Sequence, residues 1–135
     1  MNKIMKLGGI GVFIVFLGAC ATMEPTWKTI PETTYSYDKA WPLIVNAVSD
    51  KFDIETIDAN SGYLRTAWKT KNDFLGKPET RTRVVVKTES KSPLKFSFRA
   101  EKQNWDSVFT NSWVAKGNDT TIENDVQTEW QSRMK

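Results

Sequence analysis

Leu94 to Glu101 alternates without a break, and this constrains the fold more than any other stretch. Leu94, Phe96, Phe98 and Ala100 fall on one side; Lys95, Ser97, Arg99 and Glu101 fall on the other. A period of two is the signature of a strand with one apolar and one wet face. Such a strand belongs in an antiparallel sheet covered on one side, because parallel sheets bury both faces and read as continuous apolar runs. Arg81 to Glu89 supports this, with Val84 and Val86 on one face and Arg83, Val85 and Lys87 on the other. The turn signal Ser90-Lys91-Ser92-Pro93 joins the two runs.

The remaining elements follow from period and punctuation. Trp27 to Thr34 reads as a weak edge strand broken by Pro31. Trp41, Ile44, Val45, Val48 and Phe52 are spaced as one helical stripe. Ser36 is a candidate cap for that helix, while Pro42 predicts either a later start or a bend there. Phe52 to Ile57 and Tyr63 to Lys71 read as a hairpin around Asp58-Ala-Asn-Ser-Gly62. In the second run Leu64, Thr66, Trp68 and Thr70 share one face, and Tyr63, Arg65, Ala67 and Lys69 the other. Asn72 to Glu79 reads as a loop whose Phe74 and Leu75 fold under to cap the core, the alternative being a tip that engages a partner or a membrane. Trp113 to Lys116 reads as a short strand or an extended cover. Thr120 and Glu123 have capping-box spacing, and Ile122, Val126, Trp130 and Met134 form the apolar stripe of a C-terminal helix. The predicted fold class is α+β: a two-layer domain over 27–135, with two helices on one face of an antiparallel sheet in the order β-α-β-β-β-β-α.

Leu17-Gly18-Ala19-Cys20 separates this domain from a leader. Lys3 and Lys6 give a positive start, and Leu7 to Leu17 is an apolar or glycine run. That run is well short of the ~20 apolar residues that span a bilayer. Small residues at 18 and 19 let the backbone lie close in a peptidase cleft. The stretch resembles the lipobox of bacterial lipoproteins, with residues 1–19 as signal peptide and residues 20–26 as lipidated N-terminus and tether. The resemblance implies a diacylglycerol thioether on Cys20, cleavage before it, and acylation of its amine. Two or more chains anchor a protein stably. Ala21 in place of an aspartate implies the periplasmic face of the outer membrane in a Gram-negative host, or the outer face of the single membrane in a Gram-positive one.

Composition narrows the chemistry. The formal charge is +3, but Lys3 and Lys6 lie in the leader with no acidic residue, so the remainder carries +1. The basic balance therefore does not point to nucleic acid. There is no histidine, and Cys20 is the one cysteine. That removes histidine triads, His zinc sites and, once the thiol is lipidated, disulfides and thiol nucleophiles. Asp50, Asp53, Glu55 and Asp58 crowd one junction without the glycine-bearing loop of a calcium site. The reading is a non-enzymatic protein with no cofactor and no metal. The basic residues Arg65, Lys69, Arg81, Arg83, Lys87, Lys95 and Arg99 point away from the apolar face. They are either a solvated face or a surface for an acidic partner, peptidoglycan or anionic headgroups. All of these but Arg81 make up the candidate partner surface.

The Tyr-Ser-Tyr-Asp-Lys-Ala-Trp helix start (35–41), the Ile-Asp-Ala-Asn-Ser-Gly-Tyr-Leu-Arg-Thr-Ala-Trp hairpin (57–68), the Arg-Thr-Arg-Val-Val-Val strand (81–86) and the Trp-bearing last helix resemble the lipoprotein BamC/NlpB group. That resemblance implies a helix-grip-like domain and an accessory role in outer-membrane protein assembly. It leads to the expectation of a membrane-anchored envelope lipoprotein that presents its domain to an envelope protein partner. The alternative is a module for a small ligand or cell-wall fragment, held in a pocket lined by Trp41, Trp68 and Phe98.

Overall fold

The structure is a computed structural model that describes residues 22–31 and 33–135. Cys20 and the rest of the leader lie outside the described residues. The described residues form β1 (Lys28–Thr29), α1 (Tyr37–Ser49), β2 (Ile54–Asp58), β3 (Tyr63–Thr66), β4 (Lys69–Asn72), β5 (Pro78–Lys91), β6 (Leu94–Asp106), β7 (Ser112–Asn118) and α2 (Thr120–Arg133). This is the α+β two-layer class, with both helices on one face of an antiparallel sheet.

The sheet is built on the hairpin of β5 and β6, which stay in register from Lys91↔Leu94 to Thr80↔Asn104 apart from one irregularity near Glu89. Both strands run past the ends expected from sequence. Each is long enough for two short strands to lie end to end along its free side: β3 and β4 on β5, β1 and β7 on β6. The sheet therefore has six strands after α1, where the sequence pattern had suggested four.

One of the extra strands comes from a break in the Tyr63–Lys71 run. Leu64 pairs with Val86 and Arg65 with Val85, but Lys69 pairs with Thr82 and Thr70 with Arg81. One more residue has been spent on the outer strand than on β5, which is a β-bulge. Its chemistry is local. The Thr66 hydroxyl accepts the Val84 N–H at 2.9 Å, standing in for a backbone carbonyl. The Ala67 N–H turns to the Asp53 carbonyl at 2.8 Å. After a one-residue slip every side chain changes face. Trp68, expected beside Leu64 and Thr66, lies on the outer face, and Lys69 moves to the helix side.

The core lies under the other half of the sheet. Leu64, Val84, Val86, Phe96, Phe98 and Ala100 meet Trp41, Ile44 and Val48 of α1 and Val126 and Trp130 of α2. Both predicted helical stripes face inward, with Ile122 and Met134 packed at the margin. α1 runs from Tyr37 straight through Pro42, which is exposed in the second turn. The hydrogen bond that this ring removes would have ended on the carbonyl of exposed Asp38, where water can replace it. The Ser36 hydroxyl makes no capping bond; its carbonyl accepts from Lys39 and Ala40. The capping box at Thr120 does not form either. Asp119 is the cap and accepts the Ile122 N–H, while Glu123 is buried and accepts the Ala100 N–H at 3.1 Å. Gly62 turns β2 into β3 at a positive φ of 69°, and a Cβ there would sit 1.9 Å from the Thr88 hydroxyl.

Residues 23–26, expected as free tether, are docked. The Met23 N–H donates to the Ala115 carbonyl and the Gly117 N–H to the Met23 carbonyl. Asn118 holds Thr26 through both backbone and side chain.

Two substitutions test this arrangement by chemical denaturation. Thr66→Val keeps the shape but leaves the buried Val84 amide without an acceptor, and should lower stability by about 1–3 kcal/mol. Phe98→Ala, which empties the centre of the core, should cost about 3–5 kcal/mol.

Candidate functional site: a tryptophan and cation ladder on the open face

The face of the sheet turned away from the helices is not a row of freely solvated charges. Starting at the β6–β7 end, the Trp105 and Trp113 rings meet edge to face at 5.3 Å. The Arg81 guanidinium lies 4.5 Å from the Trp113 ring and 4.4 Å from Trp68. Arg83 lies 4.4 Å from Trp68. Arg99 and Lys87 lie 4.3 and 4.2 Å from Trp27. Rings and cations thus alternate over six residues of β5, about 20 Å at ~3.3 Å per residue. Each contact of this kind is worth ~0.5–1 kcal/mol at an exposed site and more when desolvated.

Glu101 joins the two halves of the ladder. Its carboxylate is 6% exposed and meets Arg83 Nε at 2.6 Å and Arg99 Nη2 at 2.6 Å. The sequence pattern had placed Glu101 on the wet side of β6. It is on that face, but the arginines and indoles cover it. Ser97 and Val85 are likewise buried on this face.

Arg81 differs from its neighbours. Its Nε donates to Gln103 Oε1 at 2.8 Å. Among the described residues no carboxylate lies within ion-pairing distance, and its terminal nitrogens have no acceptor. Burial first, and then repulsion from Arg83, hold its pKa below the usual arginine value; a guanidinium nevertheless stays charged at neutral pH. An unpaired planar fork set between indoles is built to receive a carboxylate or phosphate. Arg81 was left out of the expected partner surface, and it is the residue most available to a partner.

The other expected members separate. Arg83, Lys87 and Arg99 belong to the ladder. Arg65 lies at its margin, bonded to Glu55 at 3.1 Å. Lys95 is exposed on the same face beyond Lys87. Lys69 is not on this face: its ammonium lies 5.5 Å from the Phe52 ring and donates to the Lys51 carbonyl.

The acidic junction does not gather into a site. Asp50 pairs with Arg133, Glu55 with Arg65, and Asp58 accepts from Asn60 and Ser61 within its own turn. Among the described residues no group of three or more potential ligands could hold a metal. The pocket that the ligand alternative required is not built. Phe98 is fully buried, Trp41 borders one open groove with Tyr37 and Lys91, and Trp68 borders another on the far side of the sheet layer.

Two hairpin tips stand beyond the Trp105–Trp113 end. Asp73 accepts the N–H groups of Leu75 and Lys77, and Asp106 those of Val108, Phe109 and Thr110. These bonds hold both loops open, so Phe74 and Leu75 do not cap the core. They are 95% and 65% exposed, and Val108 and Phe109 are 78% and 79% exposed.

Comparison with protein-family models and with curated proteins finds no match to this chain.

Two measurements follow. Glu101→Gln removes the charge that pins two guanidiniums and should lower stability by about 1–3 kcal/mol in denaturant titration. The Asp106 carboxyl is held below its ordinary value, chiefly by the Phe109 and Val108 amides. A depressed pKa stabilises the tip above the unfolded-state value and loses that contribution as pH falls through the folded-state value. Hydrogen exchange at Val108 and Phe109 should therefore keep its protection down to the ordinary carboxylate range and lose it only below.

Proposed function

We propose that the chain is a lipid-anchored envelope lipoprotein, attached through Cys20, that does no chemistry itself and presents the tryptophan and cation ladder to a protein partner. In a Gram-negative host it would sit on the periplasmic face of the outer membrane. The observation that carries this reading is the ladder: four indoles and four cations fixed on a sheet face that no helix covers. Tryptophan and arginine are the residue types that dominate the energy of protein interfaces, where preorganised side chains cost little entropy to bind. The free Arg81 fork adds a preference for an acidic group on the partner. The leader supports the anchor. The two-layer α+β plan and the resemblance to the BamC/NlpB group support an accessory part in outer-membrane protein assembly. The ligand-module alternative loses its basis, because the space between helices and sheet is filled by core side chains.

The test has two arms. Intact-mass analysis of protein from the native host should find acyl groups on Cys20 and no residues before it. A photocrosslinking residue at Thr70 or Lys95, both exposed on the ladder face, should give one common protein adduct in living cells. The same residue at Thr128 on α2 should not, and the adduct should fade with Trp68→Ala and with Arg81→Ala. Adducts from Thr128 alone, or none from the ladder face, would sink the proposal.

A further inference from the structure

The two hairpin tips lie side by side. Thr80 at the start of β5 is opposite Asn104 near the end of β6, so the 73–77 and 107–111 turns close the same end of the sheet. That end presents Phe74, Leu75, Val108 and Phe109 to solvent. Directly behind them lie Trp105 and Trp113. An apolar tip backed by a tryptophan belt is the side-chain order that matches the depth profile of a bilayer surface. Lys71, Lys77 and Lys102 stand in the same rows. Of the nearby carboxylates, Asp73 and Asp106 are already occupied by backbone N–H groups.

The course of the chain before β1 points to the same end. Met23 pairs with Lys116 in parallel. β7 runs from the tips toward the middle of the sheet, so the residues that precede Met23 head back toward the tips. Trp113 lies three residues before Lys116, about 10 Å along the strand. Cys20 lies three residues before Met23, and three extended residues reach at most ~10 Å. The anchoring residue can therefore stand level with the Trp105–Trp113 pair.

We infer that the paired tips, Phe74-Leu75 and Val108-Phe109, insert into the membrane surface that holds the lipid of Cys20. They make a second, reversible contact that sets the sheet end-on to the bilayer. The inference rests on the lipoprotein reading for the anchor, and on the geometry of the tips for the insertion.

The experiment uses the full mature protein in vesicles of phosphatidylethanolamine and phosphatidylglycerol. Leu75→Cys and Phe109→Cys each carry an environment-sensitive fluorophore, and Thr128→Cys on α2 carries the control. Both tip probes should shift to shorter wavelength and be quenched by spin-labelled lipid, while the Thr128 probe stays as in water. Intact mass of the same sample reports acylation of Cys20 independently. Tip probes that remain as wet as Thr128 on an acylated protein overturn the insertion and leave the anchor standing. Quenched tip probes on protein without acyl groups support insertion and overturn the anchor. Tip probes unquenched by lipid in vesicles, but shielded once envelope extract is added, would mean that a protein occupies the tips, and would also overturn the inference.

Discussion

The open face depends on the carboxylate of Glu101. A strand covered on both sides cannot hold a charge without nearly cancelling it, because the desolvation penalty is several kcal/mol per ion. Glu101 is covered, and the Arg83 and Arg99 guanidiniums bracket it at 2.6 Å. The same bonds fix two long side chains that would otherwise sweep through solvent. Once fixed, Arg83 can lie on Trp68 and Arg99 on Trp27. A surface that composition alone would describe as mobile charge is thereby a rigid platform, and rigidity lowers the entropy that a binding partner must remove.

The second dependence is the bulge at Thr66. Side chains alternate along a strand, so one inserted residue reassigns everything after it. Without the bulge Trp68 would point toward the helices, where Leu64, Val84 and Phe98 already fill the core, and Lys69 would stand on the open face. With it, Trp68 reaches Arg81 and Arg83, and the stem of Lys69 crosses Phe52. The ladder needs Trp68 because it is the one ring in stacking range of both arginines. A single hydroxyl accepting the Val84 amide thus decides which aromatic side chain the open face presents.

The sequence made the layers readable and hid the register. Strict alternation in Leu94–Glu101 and the spacing of Trp41, Ile44 and Val48 determine which faces go inward, because burying apolar area is the largest favourable term. The bulge left no trace: Thr66, Ala67 and Trp68 include no glycine or proline, and a hydroxyl that replaces a carbonyl has no compositional mark. Glu123 matched the capping-box spacing, yet tertiary contact won, because the Ala100 N–H is buried and needs an acceptor more than an exposed helix end does. The ladder was half legible. The cations could be assigned to one face, but their stacking needed Trp27 and Trp113 from segments that pair with β6 on opposite halves of its free side. No periodicity encodes that meeting. The turn aspartates at 73 and 106 were the overlooked signal at the tips, since an aspartate that accepts the next backbone N–H groups holds a loop outward rather than folding it under.

Helical cover stops short of the tips, and this gives the molecule its polarity. The core cluster ends at Val84 and Ala100, and the α2 cap, Asp119, is tied to Thr82 by a 2.9 Å bond. Beyond that bond the four strands β4, β5, β6 and β7 continue as a ribbon without helices. A ribbon of this kind gains little from burial, so long strands persist there only because each is paired and because indoles and guanidiniums shield one face. On the proposed attachment the ribbon points at the bilayer and the helices point away from it. The ladder then runs along the membrane normal for about 20 Å, open to the side. A partner that reaches it from the plane of the membrane meets Arg81 and the Trp105–Trp113 pair first, which is where the one unpaired guanidinium lies.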